Sequence, residues 1–208
     1  MIENFWVFVL AALLLNLTPG NDMLYVAARS TGQGMRAGII SALGIMVGCM
    51  VHIFLAMVGL SAIIAKSALA FEIIKFIGAG YLIFLGIKAL ATKKANLNIE
   101  NENKKESLKK VFWQGVLTNV LNPKVALFFL AFLPQFINLN GTNTSWQILF
   151  LGSWFNVQGT LINIIVALLF GKIGSWLSNS SRFILLQQRI TGIVLIGLGI
   201  KVALTSKQ

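Results

Sequence analysis

The chain has 208 residues, 57% of them hydrophobic and only 11% charged, where an ordinary soluble domain carries about 25% charge. So few charges cannot cover an apolar core of that size in water, and with a mean hydropathy of +0.82 the composition excludes a soluble globule and places the chain in a bilayer. The net charge of +11 would suggest nucleic acid in a soluble protein; beside apolar spans it follows the positive-inside rule, and no nucleic-acid partner is expected.

A spanning helix takes roughly 20 apolar residues, so the length holds about six spans and predicts a single transmembrane domain over 1–208. In chain order, the first apolar stretch covers Phe5–Ala28 and the second Gly38–Ala65. The start, Met1-Ile2-Glu3-Asn4-Phe5, has no positive n-region, which predicts a retained first helix rather than a signal peptide. The third stretch covers Phe71–Ala91, opening on the i,i+3 pair Glu72 and Lys75, and the fourth covers Val111–Ile137. The fifth covers Trp146–Phe170 and the sixth Phe183–Leu204, where Gln187, Gln188 and Arg189 leave only Ile190–Leu204 as continuous apolar chain, short for a full crossing.

Lysine and arginine set the orientation. After the first, third and fifth stretches lie Arg29 and Arg36; Lys88, Lys93, Lys94, Lys104, Lys105, Lys109 and Lys110; then Lys172, Arg182 and Arg189. That is twelve basic residues against Lys66, Lys75, Lys201 and Lys207 on the opposite side. Both termini are expected outside the cytoplasm, with the C-terminus changing sides if the sixth stretch does not cross. The polar segment Thr92–Lys110 reads as a solvated cytoplasmic linker, with regulation or lipid contact as the alternative.

Two halves of the chain resemble each other. Asn16-Leu17-Thr18-Pro19-Gly20-Asn21-Asp22 and Asn119-Val120-Leu121-Asn122-Pro123-Lys124 are polar, proline-centred interruptions in the first span of each half, and Leu85-Gly86-Ile87-Lys88 is matched by Leu198-Gly199-Ile200-Lys201. Halves of three spans must enter from opposite faces. The expectation is therefore an all-α polytopic membrane protein, with about six transmembrane helices in two inverted three-helix repeats (1–91 and 111–208, joined by the linker 92–110) and broken first and fourth helices. Proline removes a backbone donor and clashes with the carbonyl four residues back. In lipid such a break is tolerated only where protein or a water-filled cavity satisfies the freed groups. The breaks can therefore hold ions or the charged ends of a substrate; the alternative is a kink used for packing.

Asp22 is the one acidic residue well inside a predicted span. A carboxylate there is costly and suits proton or cation coupling, unless it merely caps the second half of the first helix. Lys124 is the matching cation: it can pair with Asp22, hold a substrate carboxylate, or snorkel to the interface. Asn16, Asn21, Asn119 and Asn122 can supply amides to the same site, with Thr18, Pro19, Gly20 and Pro123 shaping it. His52 fits either a proton path or an interhelical hydrogen bond. Asn156, Gln158 and Asn163 make the fifth stretch polar, either lining a cavity or joining helices. Gly34, Gly38, Gly44 and Gly48, then Gly78, Gly80 and Gly86, and Gly192, Gly197 and Gly199 read as close-packing positions. Trp113, Trp146, Trp154 and Trp176 read as anchors or packing, as do Phe128 and Phe129. One cysteine, Cys49, permits no internal disulfide, and the single histidine without neighbouring ligands makes a metal site unexpected.

Leu17-Thr18-Pro19-Gly20-Asn21-Asp22-Met23-Leu24-Tyr25-Val26 is similar to the first motif of the LysE/RhtB family of amino-acid exporters. So are the glycines from Gly34 to Gly48, the run from Gly78 to Lys88, and Asn122-Pro123-Lys124 with Phe128-Phe129 and Leu133-Pro134-Gln135-Phe136. The resemblance covers about the whole chain. It implies a multi-pass exporter of amino acids or close derivatives in the bacterial inner membrane, driven by an ion gradient, with the two breaks as site elements; a membrane enzyme or assembly protein is not expected, since the sequence holds no nucleophile–base pair or metal motif for one. Where the family pattern has a second proline after Pro19-Gly20, this chain has Asn21, which softens the first break. The wider superfamily includes thiol–disulfide relays, disfavoured by the single cysteine, and metal exporters, disfavoured by the poor ligand set. The expected partners are the bilayer, an amino-acid substrate and a coupling proton, with a homo-oligomer left open and no cofactor or metal. The alternative function is a cation or metal exporter or channel.

Overall fold

The computed structural model describes residues 4–60, 68–91, 106–138, 143–178 and 181–204, and these are helical with no strand among them. The end of the second predicted span beyond Leu60, most of the linker, and the basic residues Lys66, Lys93, Lys94, Lys104, Lys105 and Lys207 lie outside the described residues.

The first predicted span is two helices, α1 (Phe5–Leu17) and α2 (Asn21–Gln33), bent by 48°. It runs past the expected end at Ala28, so Arg29, read as a loop residue, sits in α2. Gly34 alone separates α2 from α3 (Met35–Leu55). Its φ of 91° is a left-handed conformation open to glycine at little cost, so the chain reverses there in one residue. A π-helical turn, Ala56–Leu60, continues α3. The third span is α4 (Ala68–Ala91).

The fourth is also broken: α5 (Leu108–Val120) is bent by 43° from the segment Pro123–Phe136, which opens with α6 (Pro123–Leu127). After α6 the chain winds through a π turn, Phe128–Phe132, and a 3₁₀ turn, Leu133–Phe136. The fifth and sixth spans are α7 (Thr144–Ser178) and α8 (Ser181–Leu204). Helix α8 is continuous through Gln187–Arg189. Among the described residues, Met35–Gly59 and Thr144–Lys172 are each long and apolar enough to cross a membrane alone, and the two bent pairs bring the number to four if each is one span.

Glycines set the helix spacing. A Cβ on Gly44 would lie 2.2 Å from the Phe112 carbonyl oxygen, one on Gly48 2.6 Å from that of Val116, and one on Gly115 2.7 Å from that of Ser41. Helices α3 and α5 therefore run side by side, backbone against backbone, as small residues permit in membranes. Helices α4 and α8 pack antiparallel through the two matching Leu-Gly-Ile-Lys words. A Cβ on Gly86 would meet the Gly192 carbonyl oxygen at 2.7 Å and Ile196; one on Gly199 would meet the Ala79 carbonyl oxygen at 2.8 Å and Ile83. The shift in numbering that carries Gly86 to Gly199 also carries Ala79 to Gly192 and Ile83 to Ile196, so the contact is reciprocal.

Two apolar clusters result. The larger joins Phe8, Phe128, Phe129, Phe132, Phe136 and Phe155; the smaller joins Val26, Ala42, Ile45 and Ala167 between α2, α3 and α7. Leu10, Phe54, Val58, Phe84, Leu117, Leu161 and Ile193 point outward, as suits side chains whose solvent is lipid. Trp6, Trp113, Trp146 and Trp154 are exposed as well, in keeping with the anchoring role.

Candidate functional site

Each of the two break prolines removes the α-helical donor to a particular carbonyl. The α-helical donor to the Leu15 carbonyl would be the N–H of residue 19, which Pro19 lacks. The Thr18 N–H reaches back to Leu15 O at 3.1 Å instead, and Lys124 Nζ adds a second donor there at 3.3 Å while reaching Thr18 O at 2.9 Å, which places a cation at the negative end of α1. Gly20 makes room for it: a Cβ there would lie 3.1 Å from Lys124 Nζ. The corresponding carbonyl at the second break is that of Asn119, four residues before Pro123. It is met by His52 Nε2 at 2.9 Å and by the Asn122 N–H at 2.9 Å. With a carbonyl as partner, His52 donates through Nε2. The first break is thus closed by a side chain from the second half of the chain, and the second break by one from the first half. Beyond the second break, Asn122 caps α6, its Oδ1 accepting from the Lys124 N–H at 3.0 Å, with Pro123 at the first helical position.

Between the breaks lies a polar cavity of about 30 Å³, lined by Asn16, Thr18, Asp22, Asn119, Lys124, Asn156, Thr160 and Asn163 on its polar side. Met23, Ile45, Cys49, Val125, Phe155 and Gly159 complete it. That volume suits a water or two and is too small for an amino acid. Asp22 stands in the first turn of α2, where a helix N-terminus favours an anion. One of its carboxylate oxygens, Oδ2, accepts from Asn119 Nδ2 at 2.8 Å; the other, Oδ1, is buried without a hydrogen-bond partner, as is the Thr160 hydroxyl. Asn16 Nδ2 donates to the Phe155 carbonyl at 3.2 Å and Asn156 Nδ2 to that of Met46 at 3.1 Å.

Of the residues expected from sequence, Asn16, Thr18, Asp22, Asn119 and Lys124 meet at this cavity. Pro19, Gly20, Asn122 and Pro123 build the breaks beside it, and Pro123 itself is exposed. Asn21 is exposed on α2 and does not line the cavity, because the helix that turns Asp22 inward turns its neighbour out. His52 is buried outside the lining. It reaches the site only through Asn119 and stacks on Phe129, with ring centroids 6.1 Å apart. Lys124 and Asp22 share the cavity wall without an ion pair within 4 Å. Thr160, Gly159 and Phe155 were not anticipated; Asn156, Thr160 and Asn163, at i, i+4 and i+7, fall on one face of α7, and that spacing was the available signal.

On one side the cavity wall includes Phe155, which joins an aromatic cluster. Phe155 stacks on Phe128 with centroids 4.2 Å apart, and Phe8 packs on Phe136 at 5.3 Å. On the other side α2 is tied to α5 by polar groups. Arg29 Nη2 donates to Glu106 Oε2 and to Gln114 Oε1, both at 2.8 Å. Gln33 Nε2 donates to the Glu106 carbonyl at 2.8 Å, and the Tyr25 hydroxyl donates to the Val111 carbonyl at 2.8 Å. Glu106 also pairs with Lys110. The Lys110 hydrogen bond, assisted by the charge of Arg29, holds the Glu106 carboxyl below the usual carboxylate range despite its partial burial. It is ionised at neutral pH.

Comparison with known proteins agrees with this architecture of broken apolar helices around a polar cavity. The model of the family described as LysE type translocator matches residues 13–206. The chain is 35% identical over 206 residues to the uncharacterized membrane protein YrhP of Bacillus subtilis (strain 168), covering 95% of this chain and 97% of that one. It is 27% identical over 202 residues to the leucine efflux protein of Enterobacter sp. (strain 638), covering 97% and 96%. It is 23% identical over 202 residues to that of Salmonella choleraesuis (strain SC-B67), covering 97% and 95%. No solved structure matches it. The relatives and the apolar helices make this a multi-pass transporter of the inner membrane, and with matches running nearly end to end, the chain belongs to the LysE type translocator family.

Proposed function

We propose that this protein exports an amino acid or close derivative across the bacterial inner membrane in exchange for protons, with Asp22 as the coupling carboxylate. The observation that carries the proposal is the Asp22 side chain. One oxygen is held by Asn119, while Oδ1 is buried in the cavity wall with no partner. A buried acceptor left unmade is costly, and either a proton or a substrate ammonium relieves it. Proton and substrate then compete for one group, which is what exchange requires. A lysine ammonium has three donors; two of those on Lys124 go to Leu15 and Thr18, which leaves the third for a substrate carboxylate. Met23, Ile45, Cys49 and Phe155 offer apolar wall to an aliphatic side chain, and the names of the leucine efflux relatives make leucine the first substrate to try.

The reciprocal α4–α8 contact supports two inverted halves, because helices related by an axis perpendicular to their length run antiparallel. Such halves rock about a central site. In this reading the ends bearing Arg36, Lys88, Lys110 and Lys172 face the cytoplasm.

The test is efflux of labelled amino acids from proteoliposomes, with and without an imposed proton gradient. Saturable, gradient-driven efflux by the natural chain, lost in Asp22→Asn while that variant still inserts and folds, is the expected result. Full transport by Asp22→Asn removes the coupling role. Unsaturable flux indifferent to the gradient would instead identify a channel.

A further inference from the structure

The polar tie between α2 and α5 is more than a helix contact. We infer that Arg29, Glu106 and Gln114 form the cytoplasm-side gate of the transport path and must separate before the cavity can load. The inference rests on the exporter reading for its direction, since an exported substrate enters from the cytoplasm.

Position is the first argument. Asp22 and Arg29 are seven residues apart on α2, two turns and about 10 Å on one face. Asn119, Gln114 and Val111 descend α5 in the same direction. Asp22 meets Asn119 at the cavity, Tyr25 and Arg29 meet Gln114 below it, and Arg29 and Gln33 meet Glu106 at the end. A route from the cavity between the two broken spans to the basic ends passes through this row.

Chemistry is the second. The aromatic packing behind Phe155 is made of phenylalanine rings, which lose apolar contact when parted. Arg29, Glu106 and Gln114 do not carry that penalty: each exchanges a protein partner for water on opening. Removing charges from water costs nearly as much as pairing them returns, so the closed and open forms lie close in free energy. A two-state element of that kind can be biased by a ligand or a proton at Asp22.

Third, Arg29 is only 8% exposed and completes its row with two acceptors at 2.8 Å. The order of this contact contrasts with the unmade bonds around Asp22 and Thr160.

The chain carries its own reporter, since its single cysteine, Cys49, is buried in the cavity wall. The experiment measures the rate at which a membrane-impermeant thiosulfonate modifies Cys49 in inside-out and right-side-out vesicles, with a Cys49→Ser chain as the zero. Glu106→Gln keeps the shape and removes the charge that binds Arg29 and Lys110. It is expected to raise the rate about fivefold or more in inside-out vesicles and to leave the right-side-out rate unchanged or lower. Gln114→Met, which keeps the volume and removes Oε1, should act in the same direction and serves if Glu106→Gln is not recovered folded. An unchanged inside-out rate in a folded variant, or a rise only in right-side-out vesicles, overturns the gate. Cys49 modification does not require transport, so a natural chain that moves no amino acid would sink the exporter reading and leave this measurement to be judged separately.

Discussion

Lys124→Met tests whether the second half of the chain holds the first break together. The substitution keeps an unbranched stem of similar volume and deletes the ammonium that reaches Thr18 O at 2.9 Å and Leu15 O at 3.3 Å. Interhelical hydrogen bonds in membrane proteins average about 0.6 kcal/mol and reach about 1.7; bonds from a charged donor sit at the upper end. The longer of these two contributes less, so the loss should be about 1–2 kcal/mol, a factor of roughly 5–30 in the folded-to-unfolded ratio. Reversible unfolding in mixed micelles with a rising fraction of sodium dodecyl sulfate, followed by helix content, measures it. The reasoning makes a second demand. Pro19→Ala returns the α-helical N–H that Leu15 O lacks, so Lys124→Met should cost less in that background. An unfolding midpoint unmoved by Lys124→Met would refute the argument, because the carbonyls of α1 would then be satisfied without it.

Two further substitutions separate packing from chemistry. His52→Phe keeps an aromatic ring against Phe129 and removes the donor to Asn119 O. It should lower stability by about 1 kcal/mol and leave the pH profile of efflux unchanged, whereas a shifted profile at natural stability would return His52 to the proton path. Gly44→Val puts a branched side chain where a Cβ alone would lie 2.2 Å from the Phe112 carbonyl oxygen. Backbone must move, so the unfolding midpoint should fall by the equivalent of about 1–3 kcal/mol or more; natural stability would mean α3 and α5 are not in contact there.

Much of the site was legible because charge is so scarce. In a chain this apolar, Asp22 and Lys124 stand out beside the two proline breaks, and both face the same cavity. Seven of the ten glycines read as close-packing positions are such, but a Cβ on Gly34, Gly80 or Gly197 would meet nothing within 4 Å; close helix approach demands small residues, and a small residue does not by itself imply close approach. Arg29 was less legible. A basic residue at the end of an apolar run looks like any loop charge, and only the partners Glu106 and Gln114, brought from far along the chain, reveal that it is buried. Asn21 misled for a local reason: its neighbour's helical direction decides which of the two faces inward.

By itself, the sequence determined the solvent, the helical class, the places where helices must break and the residues too costly to bury idly. These follow from composition and from covalent chemistry, since proline lacks a donor in any fold. The tertiary structure decided the pairing. That Leu15 is answered by Lys124, Asn119 by His52, and Arg29 by Glu106 depends on which helices lie side by side and in which register. A carbonyl that loses its α-helical donor to proline has room for another, but it carries no information about which distant residue will provide one.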